Sequence, residues 1–458
     1  MIENDAFKLL LINLFHLNPD DIANILCTTF NKMMVLVVTL TDKHQACPYC
    51  GFTAPKIKEY VTKEITHSAL TTQKCIIKYR ARRYKCSCCE KTYYEFNPFV
   101  FKSQKISILT VHNILKDLKD FNETFTSVAR RYHVSPTSVS TIFDKHVDIG
   151  RNPLPEIINF DEVYAFKSEK SKYVCVLLDF KKQIPVDVLP NRKKEYLLNY
   201  FQKIPLEERK KVKYACSDMY EVYRDVVHKV FPSCCMLLDY FHLSQDFHRK
   251  MNEVRIKVMK GYKDNKASDE YYLLKKFNWL LFKNPEDEDK YGRLFDVERE
   301  RKYNSHFKSY MNYYDLRKKL LEINNDLTIC YSLKLELVDF YSKSTIDNAK
   351  VNLENLIRSC IDTNIDEMIA FSNNLINWKQ EIINSFTIVG TEYKVEADKG
   401  QVVVCNKKVN NAIIENRNKI IKCIKNNANG YTNWSRFRNR VMYVLDPNAT
   451  FSLEPREK

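Results

Sequence analysis

Three acidic residues stand out by their surroundings. Asp161 lies inside the otherwise apolar run IINFDEVYAF, where a charge is costly unless it meets a metal or a partner. Asp218 follows the apolar run that ends at Cys216-Ser217, and Glu415 is the only acid among nine Lys/Arg between residues 401 and 440. Acids 57 and then 197 residues apart can act together only if the fold brings them to one point. There they would hold two divalent ions ~3.5–4 Å apart, one helping to generate an attacking hydroxyl and the other stabilising a leaving oxygen. Hard oxygen donors suit Mg²⁺ or Mn²⁺. Each acid alone also reads as a solvated strand end or helix face. Glu162, Asp179 and Asp239 are rivals for the same role.

The second set is made of cysteines. Cys47-Pro-Tyr-Cys50-Gly51 is one C-x-x-C knuckle, and Cys86 with Cys89 forms another, with 35 residues between Cys50 and Cys86. Four thiolates are the tetrahedral set that structural Zn²⁺ prefers, and the glycine lets the backbone turn tightly under the metal. Cys88 is an alternative to either partner in the second knuckle, whereas His67 and Cys75 read as non-ligands. Cys27, Cys175, Cys216, Cys330, Cys360 and Cys423 sit in apolar runs and read as small core residues.

These groups need elements to carry them. Apolar residues from 5 to 31 recur at helical spacing, which predicts two short helices broken at Asn18-Pro19-Asp20. Val35–Leu40 and Lys74–Tyr84 read as strands flanking the zinc site. Residues 106–122 read as an amphipathic helix. Residues 125–147 read as two helices split at His133-Val134-Ser135, with Ser135 as N-cap and Pro136 in the first turn. That is helix-turn-helix spacing, whose second helix would turn Thr137, Ser138, Ser140, Thr141 and Lys145 toward DNA. After a linker at Asn152-Pro153-Leu154-Pro155 come strands at 157–166, 172–180 and 183–189, then helix, strand (212–216), helix and strand (234–238). The order β-β-β-α-β-α-β is that of a ribonuclease-H-like fold. Residues 241–395 read as almost wholly helical, 408–426 as a basic helix, and 433–444 as a last helix after an Ala428-Asn429-Gly430-Tyr431 turn.

Composition narrows the class. The 458 residues carry a net charge of +16, with 45% apolar and 12% aromatic residues, enough for a buried core. The excess is uneven: residues 71–85 hold Lys74, Lys78, Arg80, Arg82, Arg83 and Lys85 with no acid. A polyanionic partner follows from such blocks. Seven glycines, none in a G-x-G-x-x-G or Walker pattern, argue against a nucleotide-driven enzyme. Apolar runs such as Met33–Leu40 are too short for a bilayer, and the N-terminus lacks the basic region of a signal peptide.

The chain resembles the ISL-three family of bacterial insertion-sequence transposases, which carry a DDE catalytic domain. The resemblance runs through CPYCG (47–51), RRYKCSCC (82–89), NFDEVYAF, ACSDMYEVY, LLDYFHLSQDFHRKMNEVR (237–255), WLLFKNPED (279–287) and IIENRNKIIKCIKNNANGYTNWSRFRNRV. It implies Asp161, Asp218 and Glu415 as the metal-binding triad, and it makes His242 a frequent feature of the domain. The fold class expected is multidomain α+β: a zinc ribbon and helix-turn-helix, then a ribonuclease-H-like α/β catalytic core interrupted by a helical insertion. The corresponding segments are an N-terminal helical segment (1–40), a zinc-binding domain (41–98), a helix-turn-helix domain (99–150), the first part of the core (151–250), the insertion (251–395) and the C-terminal part of the core (396–458).

The function expected is that of a DNA transposase that binds terminal inverted repeats and performs metal-dependent hydrolysis and strand transfer. Its cofactors would be Mg²⁺ or Mn²⁺ at Asp161, Asp218 and Glu415, with structural Zn²⁺ on Cys47, Cys50, Cys86 and Cys89. Its partner is double-stranded DNA, both transposon ends and target. Arg82, Arg83, Thr137, Ser138, Ser140, Lys145, Lys419 and Lys422 are the candidate contacts, and Lys425 and Arg436 are placed near the scissile phosphate. It would act as a homo-oligomer on DNA in the bacterial cytoplasm, associated with the nucleoid and not with a membrane. The second reading is a catalytically inactive DNA-binding protein, either a decayed transposase or a zinc/helix-turn-helix regulator.

Overall fold

In the computed structural model, described for residues 2–43, 46–53, 55–70, 72–101, 104–166, 171–395 and 402–456, the first helix α1 (Ile2–Leu14) packs on a sheet. The sheet contains β1 (Ile22–Phe30), β2 (Met33–Leu40), β3 (Lys56–Thr66) and β4 (Cys75–Lys85) in the order β1-β2-β4-β3, with β5 (Thr92–Tyr94) added to β4. Leu11, Ile12, Phe15, Ile25, Leu36, Ile77 and Phe99 are buried between helix and sheet.

β1 corrects the expectation of a second helix there. The pairing with β2 shifts register between Ile22 and Asn24. This bulge turns Ile22 and Ile25 to the same face although they are three residues apart, which imitates helical spacing. Asn31 and Lys32, both at positive φ (49° and 59°), close the hairpin. β2 pairs in parallel with β4, so residues 22–40 share a sheet with the strand leading into the second cysteine knuckle.

Three short helices follow, α2 (Ile108–Asp117), α3 (Phe125–Arg131) and α4 (Pro136–His146). Each starts on a side-chain cap: Ser107 for α2, Thr124 in a capping box for α3, and Ser135 for α4. Val111, Leu115, Val128, Val139 and Phe143 fill the space between them.

A second sheet joins β6 (Ile157–Val163), β7 (Val174–Asp179), β8 (Pro185–Leu189), β9 (Tyr214–Ser217) and β10 (Cys235–Leu238). Its order is β10-β9-β6-β7-β8. β6, β7 and β8 are antiparallel neighbours, while β9 runs parallel to β6 and β10 parallel to β9. The helices α5 (Lys194–Gln202), α6 (Leu206–Arg209) and α7 (Glu221–Val230) lie between these strands in sequence. Leu197, Phe201, Tyr223, Val227 and Phe160 form the core on one face.

A long excursion then leaves the sheet. It comprises α8 (Tyr240–Lys260), α9 (Asp269–Lys276), two short hairpins, and α10 (Tyr313–Glu322) to α14 (Lys379–Asn384). Between these last two come α11 (Asn325–Lys343), α12 (Ala349–Asp362) and α13 (Asp366–Asn377). The hairpins pair β11 (Glu288–Asp289) with β12 (Gly292–Arg293) and β13 (Lys302–Asn304) with β14 (Ser309–Met311), where an almost wholly helical segment was expected. A further antiparallel pair, β15 (Ile388–Val395) and β16 (Val402–Lys408), leads back to the sheet. Cys330 and Cys360 are buried as expected, but Cys423 is exposed. Among the described residues no helix is long and apolar enough to cross a membrane.

Two helices end the chain, α15 (Ala412–Asn427) and α16 (Trp434–Leu445), joined by a turn with Asn429 and Gly430 at positive φ. α16 packs against β8 and also carries the three-helix unit. Arg440 is 1% exposed and donates to the carbonyls of Asp120 and Glu123, both at 2.8 Å. Arg436 makes a two-pronged pair with Asp144 at 2.9 and 2.6 Å, and the Tyr443 hydroxyl donates to the Leu115 carbonyl. Arg436 is thereby committed to Asp144 and not available to a phosphate as expected. Replacing Arg440 by alanine removes an almost fully buried guanidinium together with both of its carbonyl contacts, an expected loss of about 3 kcal/mol, measured as a lower denaturant midpoint.

Candidate active site and metal-binding clusters

β6, β9 and β10 are parallel, so their C-terminal ends share one edge of the sheet. Asp161 lies on β6, Asp218 is the first residue beyond β9, and Asp239 is the first beyond β10 and the N-cap of α8. His242 follows in the first turn of α8, and Glu415 lies in the first turn of α15. Asparagines lock α15 onto β6. Asn159 donates to Asn411 Oδ1 at 2.6 Å and to the Asn410 carbonyl at 2.8 Å, and Asn411 donates back to the Phe160 carbonyl at 3.3 Å. One turn beyond Glu415, Asn418 Nδ2 donates to Asp161 Oδ2 at 2.7 Å. Asp161 Oδ1 accepts the Glu162 backbone N–H at 2.7 Å.

The carboxylates are buried and crowded. Burial, with the charge of Asp218 adding to it, pushes Asp161 up to about 7 against the pull of the Glu162 N–H and His242. Burial and then Glu162 push Asp218 up to about 6, opposed by His242 and Arg192. Burial also raises Asp239, and Glu415 adds to it. The donor atoms of Asp239, His242 and Glu415 lie within 4.8 Å of one another. Asp161 and Asp218 are not in that set, but His242 acts electrostatically on both. Four buried atoms here have no hydrogen-bond partner: Asp218 Oδ1, Asp239 Oδ2, His242 Nε2 and Glu162 Oε2. Orphaned acceptors at one sheet edge fit the donor set of hard divalent cations. Asp218, Met219, His242, Gln245, Asp246 and Arg249 line an open cleft beside them.

The rivals separate. Glu162 pairs with Arg192. Asp179 ends an antiparallel strand at the opposite edge, where it accepts the N–H groups of Lys181 and Lys182 at 2.9 and 3.0 Å. Asp239 joins the cluster; the signal for it was an acid closing a parallel strand, the same position Asp218 occupies. Asn159, Asn411 and Asn418 were not singled out from sequence. Their signal is weak: a polar residue two before Asp161, and one on the helix face adjoining Glu415.

The raised value of Asp218 has a consequence for stability. Between its ordinary pKa of 3.8 and about 6 the folded chain holds a proton that the unfolded chain releases, so stability falls as pH rises through that window. Asp218→Asn removes the penalty. The metal-free variant is expected to be more stable than the parent at pH 7.5 by about 2 kcal/mol, with the difference vanishing below about pH 4. Thermal melts in chelator at the two pH values check this.

The four knuckle cysteines form a second cluster, with all sulfurs within 4.8 Å of one another. Cys47 and Cys89 are 3.6 Å apart, and Cys50 and Cys86 3.5 Å. Each turn closes on a residue at positive φ, Gly51 (76°) and Glu90 (59°). The backbone N–H groups of Cys88 and Cys89 donate to Cys86 Sγ at 3.4 and 3.5 Å. With Cys89 first, they draw that thiol down to about 6. Such a thiol is ready to ligate as thiolate, and the four-sulfur set fits structural zinc. Cys88 is exposed and outside the set. His67 is buried elsewhere, bonded to Ser107 and the Phe15 carbonyl.

The candidate DNA contacts differ in freedom. Arg82 is committed: it pairs with Glu95 at 2.7 Å and donates to the Leu40 carbonyl. Arg83 pairs with Glu59 at 2.6 Å and is a third exposed. The acid-free run on β4 thus meets its counter-charges across the sheet, including Glu64 on Lys78. On α4, Thr137 is exposed and Ser138, Ser140 and Lys145 are half-buried. Lys419 and Lys422 are exposed, and with Glu415 they occupy positions i, i+4 and i+7 of α15. Lys425 sits over the Tyr164 ring, 4.8 Å from its centroid.

Comparison with known proteins gives the family. A family model described as a transposase, of the ISL-three type with a DDE domain, matches residues 158–397, just over half of the chain. The match spans Asp161, Asp218, Asp239 and His242 and stops before α15. The transposase for insertion sequence element IS1001 of Bordetella parapertussis is 19% identical over 411 residues, covering 89% of this chain and 91% of that protein.

Proposed function

Because the chain belongs to the ISL-three family of DDE transposases, we propose that it cuts DNA at the ends of an insertion sequence and joins the freed 3′-OH to target DNA. The observation carrying this reading is the convergence of buried acids, several with orphaned oxygens, at the shared C-terminal edge of β6, β9 and β10. The strand order, three antiparallel strands followed by two parallel ones on the other side of β6, supports a ribonuclease-H-like core.

Asp161, Asp218 and Glu415 are the proposed catalytic carboxylates. Two divalent ions, Mg²⁺ or Mn²⁺, would supply activation of the attacking hydroxyl and charge relief at the leaving oxygen. The chain's own contribution is placement. Asn418 and the Glu162 N–H fix both oxygens of Asp161. Asn159 and Asn411 hold the start of α15 so that Glu415 approaches the sheet edge. Arg192 neutralises Glu162 beside Asp218.

Lys419 and Lys422 continue from Glu415 along one stripe of α15, the last about 10 Å from the carboxylate. That spacing suits successive phosphates of a strand entering the site. Replacing both by alanine is expected to lower the salt-dependence slope of DNA binding by about two, checked by titrations between 50 and 200 mM salt.

The zinc knuckles and the exposed face of α4, with Thr137, Ser138, Ser140 and Lys145, would read the inverted repeats, and Arg83 is the freer of the two β4 arginines. Pairing two ends calls for more than one protomer on DNA. The test is strand nicking on DNA that carries the element's end, with Mg²⁺ or Mn²⁺. End binding without cleavage under either ion would leave only the DNA-binding half of the reading.

A further inference from the structure

The three-acid reading leaves two polar groups at the sheet edge without a role. Asp239 is 3% exposed, and its Oδ2 has no hydrogen-bond partner. His242 Nε2, also buried and without a hydrogen bond, faces that oxygen at 3.8 Å. This distance is too long for a hydrogen bond. It does match two donors on one ion, which lie about 3–4.2 Å apart when each bond is about 2.1 Å. Glu415 brings a third donor, all within 4.8 Å of one another. The spacing is built in by the chain: Asp239 caps α8, and His242 is three residues on, on the same face. Among the described residues no hydrogen-bond partner reaches Asp239 Oδ2 or His242 Nε2, although the Phe241 and Asn411 backbone N–H groups act on the Asp239 carboxylate and buried polar groups are otherwise paired almost without exception.

We infer that Asp239 and His242 are metal ligands, holding one ion together with Glu415 through two carboxylates and an imidazole nitrogen, while Asp161 and Asp218 serve the other. The inference rests on the transposase reading for its purpose but not for its geometry. A nitrogen donor shifts preference from Mg²⁺ toward Mn²⁺ and other first-row ions. The site would therefore have two unequal halves, one of oxygen donors and one mixed.

The experiment uses the full zinc-loaded chain titrated with Mn²⁺ alone, followed by pulsed electron paramagnetic resonance. Modulation from a directly bound imidazole nitrogen is expected in the parent and lost in His242→Gln, together with an about ten-fold or greater loss of affinity for one Mn²⁺. Should His242→Gln misfold by circular dichroism, Asp239→Asn serves instead, with one fewer tightly bound Mn²⁺ per chain expected. Absence of nitrogen coupling in the parent, its persistence in His242→Gln, or an unchanged ion count in Asp239→Asn overturns the inference. DNA nicking by the parent is scored separately. Nicking without nitrogen coupling removes this ligand set and keeps the transposase, whereas coupling without nicking keeps the ligand set and removes the enzyme.

Discussion

Asp161→Asn is expected to lower strand cleavage at element ends by about a thousand-fold or more while leaving end binding within about two-fold of the parent. The substitution keeps the side chain's size and its place on β6. It removes the charge at a position where both carboxylate oxygens are held, one by the Glu162 N–H and one by Asn418. The proposed DNA contacts lie on other elements, α4 and the exposed stripe of α15, so binding and cleavage are expected to separate. Single-turnover nicking and gel-shift titration on the same substrate measure both. Cleavage within ten-fold of the parent would sink the catalytic assignment of this residue.

Cys86→Ser is the second large effect expected, and it falls on the other half of the molecule. Cys86 receives two backbone N–H groups and is the most acidic thiol of its cluster, so it is the sulfur best prepared to ligate. Structural zinc on four thiolates contributes on the order of 10 kcal/mol in small domains. Here the loss should stay local. The sheet under α1 has its own apolar core, with Leu36, Ile77 and Ala81, whereas the knuckles rest on only Tyr84 and Tyr93. The variant is expected to carry no zinc, to be cut by protease near residues 46–53 and 86–91, and to keep the second sheet folded. Metal analysis and limited proteolysis check this. Retained zinc at one per chain would show that Cys88 substitutes for it.

Much of this arrangement was legible in the residues. The second sheet could be read because its strands are apolar, short and bounded by turns, and because parallel strands must close on a common edge. The pair α3 and α4 carried its Ser135 cap and its proline in plain view. The first sheet was half hidden: a bulge gave β1 the three-residue spacing of a helix, and only its pairing with β2 restores the strand. The hairpins within the insertion are two or three residues per strand, too short to leave a periodic trace. At the site, the sequence reading grouped Asp161, Asp218 and Glu415, whereas among the described residues the donor atoms that lie within 4.8 Å of one another are those of Asp239, His242 and Glu415. The partner of Glu415 depends on how α15 sits against β6, and that is set by Asn159, Asn411 and Asn418, whose meaning appears only in three dimensions. The basic run on β4 misled in the opposite way, because its counter-ions come from β3 and from Glu95.

The seat of the three-helix unit on α16 also sets an order of events during synthesis. Asp120, Glu123 and Asp144 leave the ribosome between 292 and 320 residues before their partners Arg440 and Arg436 do, a delay of about 15–60 s at ordinary elongation rates. Until then the three-helix unit has no platform, and the helix bearing Glu415 is absent as well. A nascent or prematurely terminated chain therefore lacks both the seat of the three-helix unit and the helix bearing Glu415, so under the proposed function neither the DNA contacts nor the full set of acids is in place until the last helices are made.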